Sequence, residues 1–202
     1  MILFLISLIL VIIIHELAHL IAAKSVGCQV EKFSIGFGKP ILWSKKIGNT
    51  IYQITPWILG GYNQLKGELT LAESLDSFSN LKYWKKLLIS LIGVFVNIVL
   101  GIIAIYLSIK LKIYGFFYFG YISFLLGITN ALPIPALDGS YPFLILLEKF
   151  IPKEKALKIL NKIMRISLII LTILNIICLP WFFLYGYKLM NEQILMFWHL
   201  IY

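Results

Sequence analysis

The run Ile2 to Ala23, ILFLISLILVIIIHELAHLIAA, decides how the rest of the chain is read. It has 22 residues, and about 20 apolar residues suffice for a helix to cross a bilayer. Inside it stand His15, Glu16 and His19. Ionisable groups within a span cost on the order of 2.5 to 3.5 kcal/mol each on insertion scales, so they are functional by default. The run has no basic leader, and Lys24, Lys32, Lys39, Lys45 and Lys46 follow it. It therefore reads as a retained helix, not a cleaved signal peptide.

The whole chain agrees with this reading. Of 202 residues, 60% are apolar and 13% charged, with a mean hydropathy of +0.93. Soluble domains average about 45 to 50% apolar and 25% charged, so a water-soluble enzyme is excluded. The 14 Phe, 11 Tyr and 5 Trp exclude intrinsic disorder. Three further runs lack formal charge for a bilayer's width: 87–109, 113–137 and 166–187. The expected fold is an all-α polytopic membrane protein, one domain over 1–202, with about four transmembrane helices and a small membrane-associated β-hairpin. The hairpin is expected over about 30–62, where alternating segments such as Thr50 to Thr55 are punctuated by glycines and prolines, with a turn at Lys46 to Asn49.

Charge sets the orientation. Lys and Arg number nine from Lys24 to Lys86, two at Lys110 and Lys112, six from Lys149 to Arg165 and one at Lys188. Placing the first and third groups in the cytoplasm puts both termini outside. The net charge of +9 then reads as topology and contact with anionic lipid, with no nucleic-acid surface. Cys28 and Cys178 imply neither a disulfide framework nor a cysteine-type metal site.

His15-Glu16-Leu17-Ala18-His19 is the pattern H-E-x-x-H. On a helix, residues four apart share a face, so both imidazoles reach one metal ion, while Glu16 can hold a water beside it. In soluble enzymes this is the chemistry of a zinc hydrolase, with the carboxylate as general base. Axial ligation of haem is disfavoured, because it needs its two ligands on opposite faces of the ring. His199 reads as an interfacial residue. A catalytic zinc takes three protein ligands, and Asp138 is the acidic residue that ends a predicted span. Pro133 and Pro135 stop that helix and force irregular backbone, which at membrane depth belongs in a protein-lined cavity. At 1.5 Å per residue, His15 and His19 lie about 13 and 7 Å from Lys24, near the cytoplasmic end where Asp138 is expected.

These residues resemble the site-2 protease family, the intramembrane zinc metalloproteases of M50 type. Beside H-E-x-x-H and Leu137-Asp138-Gly139, three segments look like motifs of its anti-sigma-factor-cleaving bacterial branch: Phe33 to Pro40, Leu59-Gly60-Gly61-Tyr62 with Lys66-Gly67-Glu68, and Gly93 to Asn97. Ile58, Val94 and Ser140 depart from the usual pattern, and a PDZ domain expected between the second and third spans is absent there, so this is a compact form. The resemblance implies zinc held by His15, His19 and Asp138, Glu16 as general base, and Asn130 binding the substrate backbone or the developing oxyanion. Asn97 is as readily structural as functional. Ile51, Tyr52, Gln53 and Ile54 are expected to form an edge strand that holds an unwound substrate by β-addition.

The expected activity is endoproteolysis of a transmembrane segment near the cytoplasmic face, in regulated intramembrane proteolysis. The partners would be a membrane-protein substrate, the lipid bilayer and an inhibitory or activating membrane protein; the location would be a bacterial cell membrane. A catalytically silent scaffold or chaperone of the same fold is the rival reading. Metal transport is disfavoured because the later spans carry no ionisable residues.

Overall fold

The computed structural model describes residues 2–68, 74, 76–134, 137–152 and scattered positions between 154 and 196. The first apolar run is the helix α1, Ile2–Ser25, about 36 Å long at 1.5 Å per residue. It ends where Gly27 adopts a φ of 82°, with the Cys28 amide donating to the Ala23 carbonyl at 2.9 Å. That is the left-handed glycine termination which satisfies the last carbonyls of a helix.

Four strands follow: β1 (Val30–Phe37), β2 (Trp43–Ile47), β3 (Thr50–Ile54) and β4 (Trp57–Leu65). They form one mixed sheet in the order β2-β3-β1-β4, with β1 parallel to β3 and antiparallel to β4. The expected hairpin exists as β2 and β3, whose Ile47 and Thr50 pair across Gly48 and Asn49. Gly48 has a φ of 59°, which two-residue hairpin turns demand and glycine supplies without strain. The hairpin is half of a larger sheet, because β1 comes to lie between β3 and β4. One consequence corrects an expectation: Ile51, Tyr52, Gln53 and Ile54 lie on an interior strand, hydrogen-bonded to β2 on one side and β1 on the other. They offer no edge. Among the described residues the edges are β2 and β4.

After a short 3-10 turn at Phe78–Asn80 come α2 (Tyr83–Leu111), α3 (Tyr114–Asn130) and α4 (Ser140–Leu147). The α2 and α3 helices run back to back, joined by Lys112 and Ile113. A Cβ on Gly101 would lie 2.7 Å from the Phe124 backbone, and one on Gly120 2.8 Å from the Ile105 backbone, so these glycines set the helix spacing. The α2 helix is inverted relative to a soluble core helix. Ser90, Gly93, Asn97, Gly101, Ala104 and Ser108 face inward, while Phe95, Ile102 and Tyr106 are exposed. Small and polar residues inside with large apolar ones outside is the pattern of a surface made to meet lipid.

By length and composition α1 and α2 can each cross a membrane. The third predicted span, 113–137, is shorter as a helix: α3 has 17 residues and stops at Asn130, ahead of Pro133, which disfavours helix in the residue before it. The fourth, 166–187, lies outside the described residues, apart from single positions. Two clusters pack α1 against the other described elements. Phe4 and Val11 of α1 pack with Phe117, Tyr118 and Ile122 of α3. At the other end of α1, Leu20 and Ala23 pack with Val30, Phe33, Leu65, Phe78 and Ile89. The sheet is thereby fixed against the end of α1 that carries His15, Glu16 and His19.

Candidate metal centre

One face of α1 carries both imidazoles, and α2 orients them. His15 and His19 are buried, at 4% and 7% exposure. His19 donates from Nδ1 to the carbonyl of Ile89 at 2.6 Å, leaving Nε2 with its lone pair free to ligate. One turn along α2 is Gly93, where any Cβ would strike both imidazole rings. One further turn along, the amide of Asn97 lies 3.1 Å from Nδ1 of His15, while its other polar atom, Oδ1, is buried without a partner among the described residues. With Nε2 of His15 turned to the metal site, Nδ1 carries the hydrogen, and a half rotation of the amide sets Oδ1 to accept from it. Asn97 thus touches a ligand as well as the helix interface. Residues 89, 93 and 97 form an i, i+4, i+8 stripe against the two rings.

Asp138 reaches the same point from the segment after α3. Its Oδ2 lies 3.0 Å from Nε2 of His15 and 3.2 Å from Nε2 of His19, and the two Nε2 atoms are 3.3 Å apart. Metal bonds of about 2.0 to 2.1 Å in a tetrahedron place neighbouring donors roughly 3.3 Å apart. The donor set therefore fits a tetrahedral cation with three protein ligands and one open position. Asn130, at the end of α3, brings its amide to 3.3 Å from Nε2 of His15. Its carbonyl accepts from the Gly139 amide at 2.9 Å, which closes the loop that carries Asp138.

Glu16 is held from the other side, by β4. Asn63 donates from Nδ2 to Glu16 Oε2 at 2.9 Å and to the Glu16 carbonyl at 3.0 Å. A Cβ on Gly61 would lie 2.7 Å from Cγ of Glu16, so the strand approaches the helix this closely only with glycine there. A cavity of about 640 Å³ opens over these groups, walled by apolar side chains such as Ile12, Phe37, Leu126 and Leu137 and reached by Glu16, Asn130 and Glu68.

The structure brings His15, Glu16, His19, Asp138 and Asn130 together around one cavity. Ile51 to Ile54 are not among the residues around the cavity, and His199 lies outside the described residues. Sequence reasoning missed Asn63, Gly61 as a contact of Glu16, and the Ile89 carbonyl. The Gly60-Gly61 pair was the available signal, since paired glycines in a strand mark a close approach of another element. Glu68 was seen only as part of a motif. Its carboxyl accepts from the Leu65 amide at 3.2 Å and from the Tyr141 hydroxyl, and burial raises its pKa from 4.5 to about 7.

The model of Peptidase family M50 matches residues 3–115 and 109–174. The chain belongs to that family. It is similar to proteins named "Putative zinc metalloprotease": one of Borreliella burgdorferi is 35% identical over 168 residues, 72% of this chain and 38% of that protein. One of Chlamydia pneumoniae is 38% identical over 107 residues, covering 47% of this chain and 17% of its own length. One of Campylobacter jejuni is 42% identical over 95 residues, 45% and 26% of the two chains. The chain spans well under half the length of these relatives.

Proposed function

We propose that this protein is a zinc-dependent endopeptidase that hydrolyses a peptide bond within a membrane-embedded segment of another protein. The observation that carries the reading is the convergence of three ligand atoms within 3.0 to 3.3 Å of one another beside a carboxylate fixed by its own hydrogen bonds. His15, His19 and Asp138 would hold the ion. Bound there, zinc polarises a carbonyl and lowers the pKa of water. Glu16 takes a proton from the attacking water and returns it to the leaving amine. Asn130, beside His15, is placed to donate to the oxygen that gains charge.

A helical substrate has its carbonyls engaged in i to i+4 bonds and must unwind before attack. The edge of β4, unpaired among the described residues, is the place for the unwound stretch. It is an edge of the sheet, it packs on α1, and Asn63 on the same strand holds Glu16. The bilayer is the solvent, since α1 and α2 carry outward apolar surfaces. Multi-pass topology with termini outside rests on the distribution of Lys and Arg, and an inhibitory or activating membrane partner belongs to the same reading.

The test pairs wild type with Glu16→Gln in detergent micelles, measuring bound zinc and cleavage of a single-span model substrate. The expected result is equal zinc with cleavage reduced by at least two orders of magnitude, in line with the contribution of general-base catalysis. Cleavage surviving in Glu16→Gln would sink the assignment.

A further inference from the structure

The three ligands are not held alike. The side chains of His15 and His19 are 6% and 9% exposed and each has an α2 group against Nδ1, whereas the Asp138 side chain is 24% exposed. Among the described residues its carboxylate contacts only the two imidazoles. Its position depends on backbone, held on one side by the Gly139 amide on the Asn130 carbonyl and on the other by the turn that starts α4: the Ser140 amide donates to Leu137 at 3.0 Å and the Tyr141 amide to Asp138 at 3.3 Å. Tyr141 is thus the first side chain beyond Asp138 long enough to reach another element. Its hydroxyl donates to Oε1 of Glu68, and its ring meets Phe78 edge-on at 5.3 Å.

Glu68 stands on a fixed base. Lys66, two residues earlier, donates its amide to Gln29 at 3.0 Å and accepts from the Phe78 amide at 2.8 Å. Oε2 of Glu68 caps the Leu65 amide at the last residue of β4. One carboxylate therefore bonds the end of the sheet and the turn that carries a metal ligand. A carboxyl enclosed beside an acidic metal site is costly, and neither ligation nor proton transfer uses this one.

We propose that Glu68 and Tyr141 form a latch that holds Asp138 in ligating position, with Glu68 as a positioning residue that ties metal retention to the β4 end of the sheet. The latch rests on the zinc reading above. Outer partners of metal ligands typically govern affinity by 10 to 100-fold. Because Leu65 ends the strand proposed to receive substrate, the same latch mechanically joins that strand to the third ligand.

The test uses the whole chain in micelles, loaded with zinc, and follows release to a chromophoric chelator. Tyr141→Phe, which keeps the ring against Phe78 and removes only the hydroxyl, is expected to release zinc about tenfold faster or more. Glu68→Ala should do the same, and the double variant should be no faster than the faster single one, since both break one link. Glu68→Gln retains one acceptor and should fall between wild type and Glu68→Ala. With Co2+ in place of zinc, Tyr141→Phe should alter the visible absorption, which a bond serving stability alone would leave unchanged. Should Glu68→Ala not fold, Tyr141→Phe decides alone. Wild-type release and Co2+ spectrum in Tyr141→Phe, or additive effects in the double variant, would overturn the latch. If zinc is retained by wild type and lost from His15→Ala in those experiments, the zinc reading stands without the latch. A wild type that holds no zinc removes both.

Discussion

Two regions of this molecule supply the same metal site by different means. The α1–α2 pair presents His15 and His19 from a continuous helix, each imidazole braced by an α2 group, Ile89 and Asn97, about two turns apart. The segment after α3 presents Asp138 from irregular backbone, braced through its neighbours: Gly139 to the Asn130 carbonyl and Tyr141 to Glu68. A helix fixes two ligands at once, because spacing alone brings residues four apart to one face. A loop fixes one ligand only as well as its anchors do. The price of the helical solution is close packing, which leaves Gly93 no room for a side chain.

The largest expected effect comes from removing a ligand on each side. His19→Ala should abolish zinc binding measured by elemental analysis, and with it cleavage. Asp138→Ala should weaken zinc by less, since two braced imidazoles remain. Zinc held by Asp138→Ala as tightly as by wild type would contradict its role as a ligand. Next in size is Gly93→Ala. Alanine is favoured over glycine in a helix by roughly 1 kcal/mol, so helix content by circular dichroism should be unchanged or higher, yet the added methyl strikes both imidazoles. Zinc affinity should fall about 10 to 100-fold, and an unchanged affinity would show that α2 does not brace the ligands.

The smallest effect concerns the anchor of the loop. Burial lifts Glu68 from 4.5 to about 7, so between those values the folded protein keeps a proton that the unfolded chain gives up. By linkage, the contribution to stability is fully present below 4.5 and is lost as pH rises through about 7. Thermal unfolding of the metal-free protein from pH 5 to 8 should show stability falling with pH, and Glu68→Gln should flatten that slope. An identical slope in Glu68→Gln would place the titrating group elsewhere.

The legible parts of the site were those in which chemistry follows local spacing. His15, Glu16 and His19 are written within one helical turn, and Asp138 stands beside prolines that end a helix. The apolar run predicted α1 well, because 22 residues of one character admit little else in a bilayer. Strand order was not legible. The alternation of Thr50 to Thr55 announces a strand but says nothing of its neighbours, and an interior strand was taken for an edge. The end of α3 was legible in part: the apolar run extends to Leu137, but Pro133 and Pro135 already marked a stop, and the helix ends at Asn130. Apolarity and helicity part company at a proline.

The amino-acid sequence by itself determined the membrane class of this chain, the family resemblance and the grouping of His15, Glu16 and His19, since composition and i, i+4 spacing are properties of the covalent chain. Only the tertiary structure decided which strand borders the site, that Asn63 holds Glu16 across 47 positions, and that Asn97 and Ile89 orient the imidazoles. Those are contacts between elements far apart in sequence. They depend on how closely two backbones approach, and a glycine in the sequence permits that approach without naming the partner it will admit.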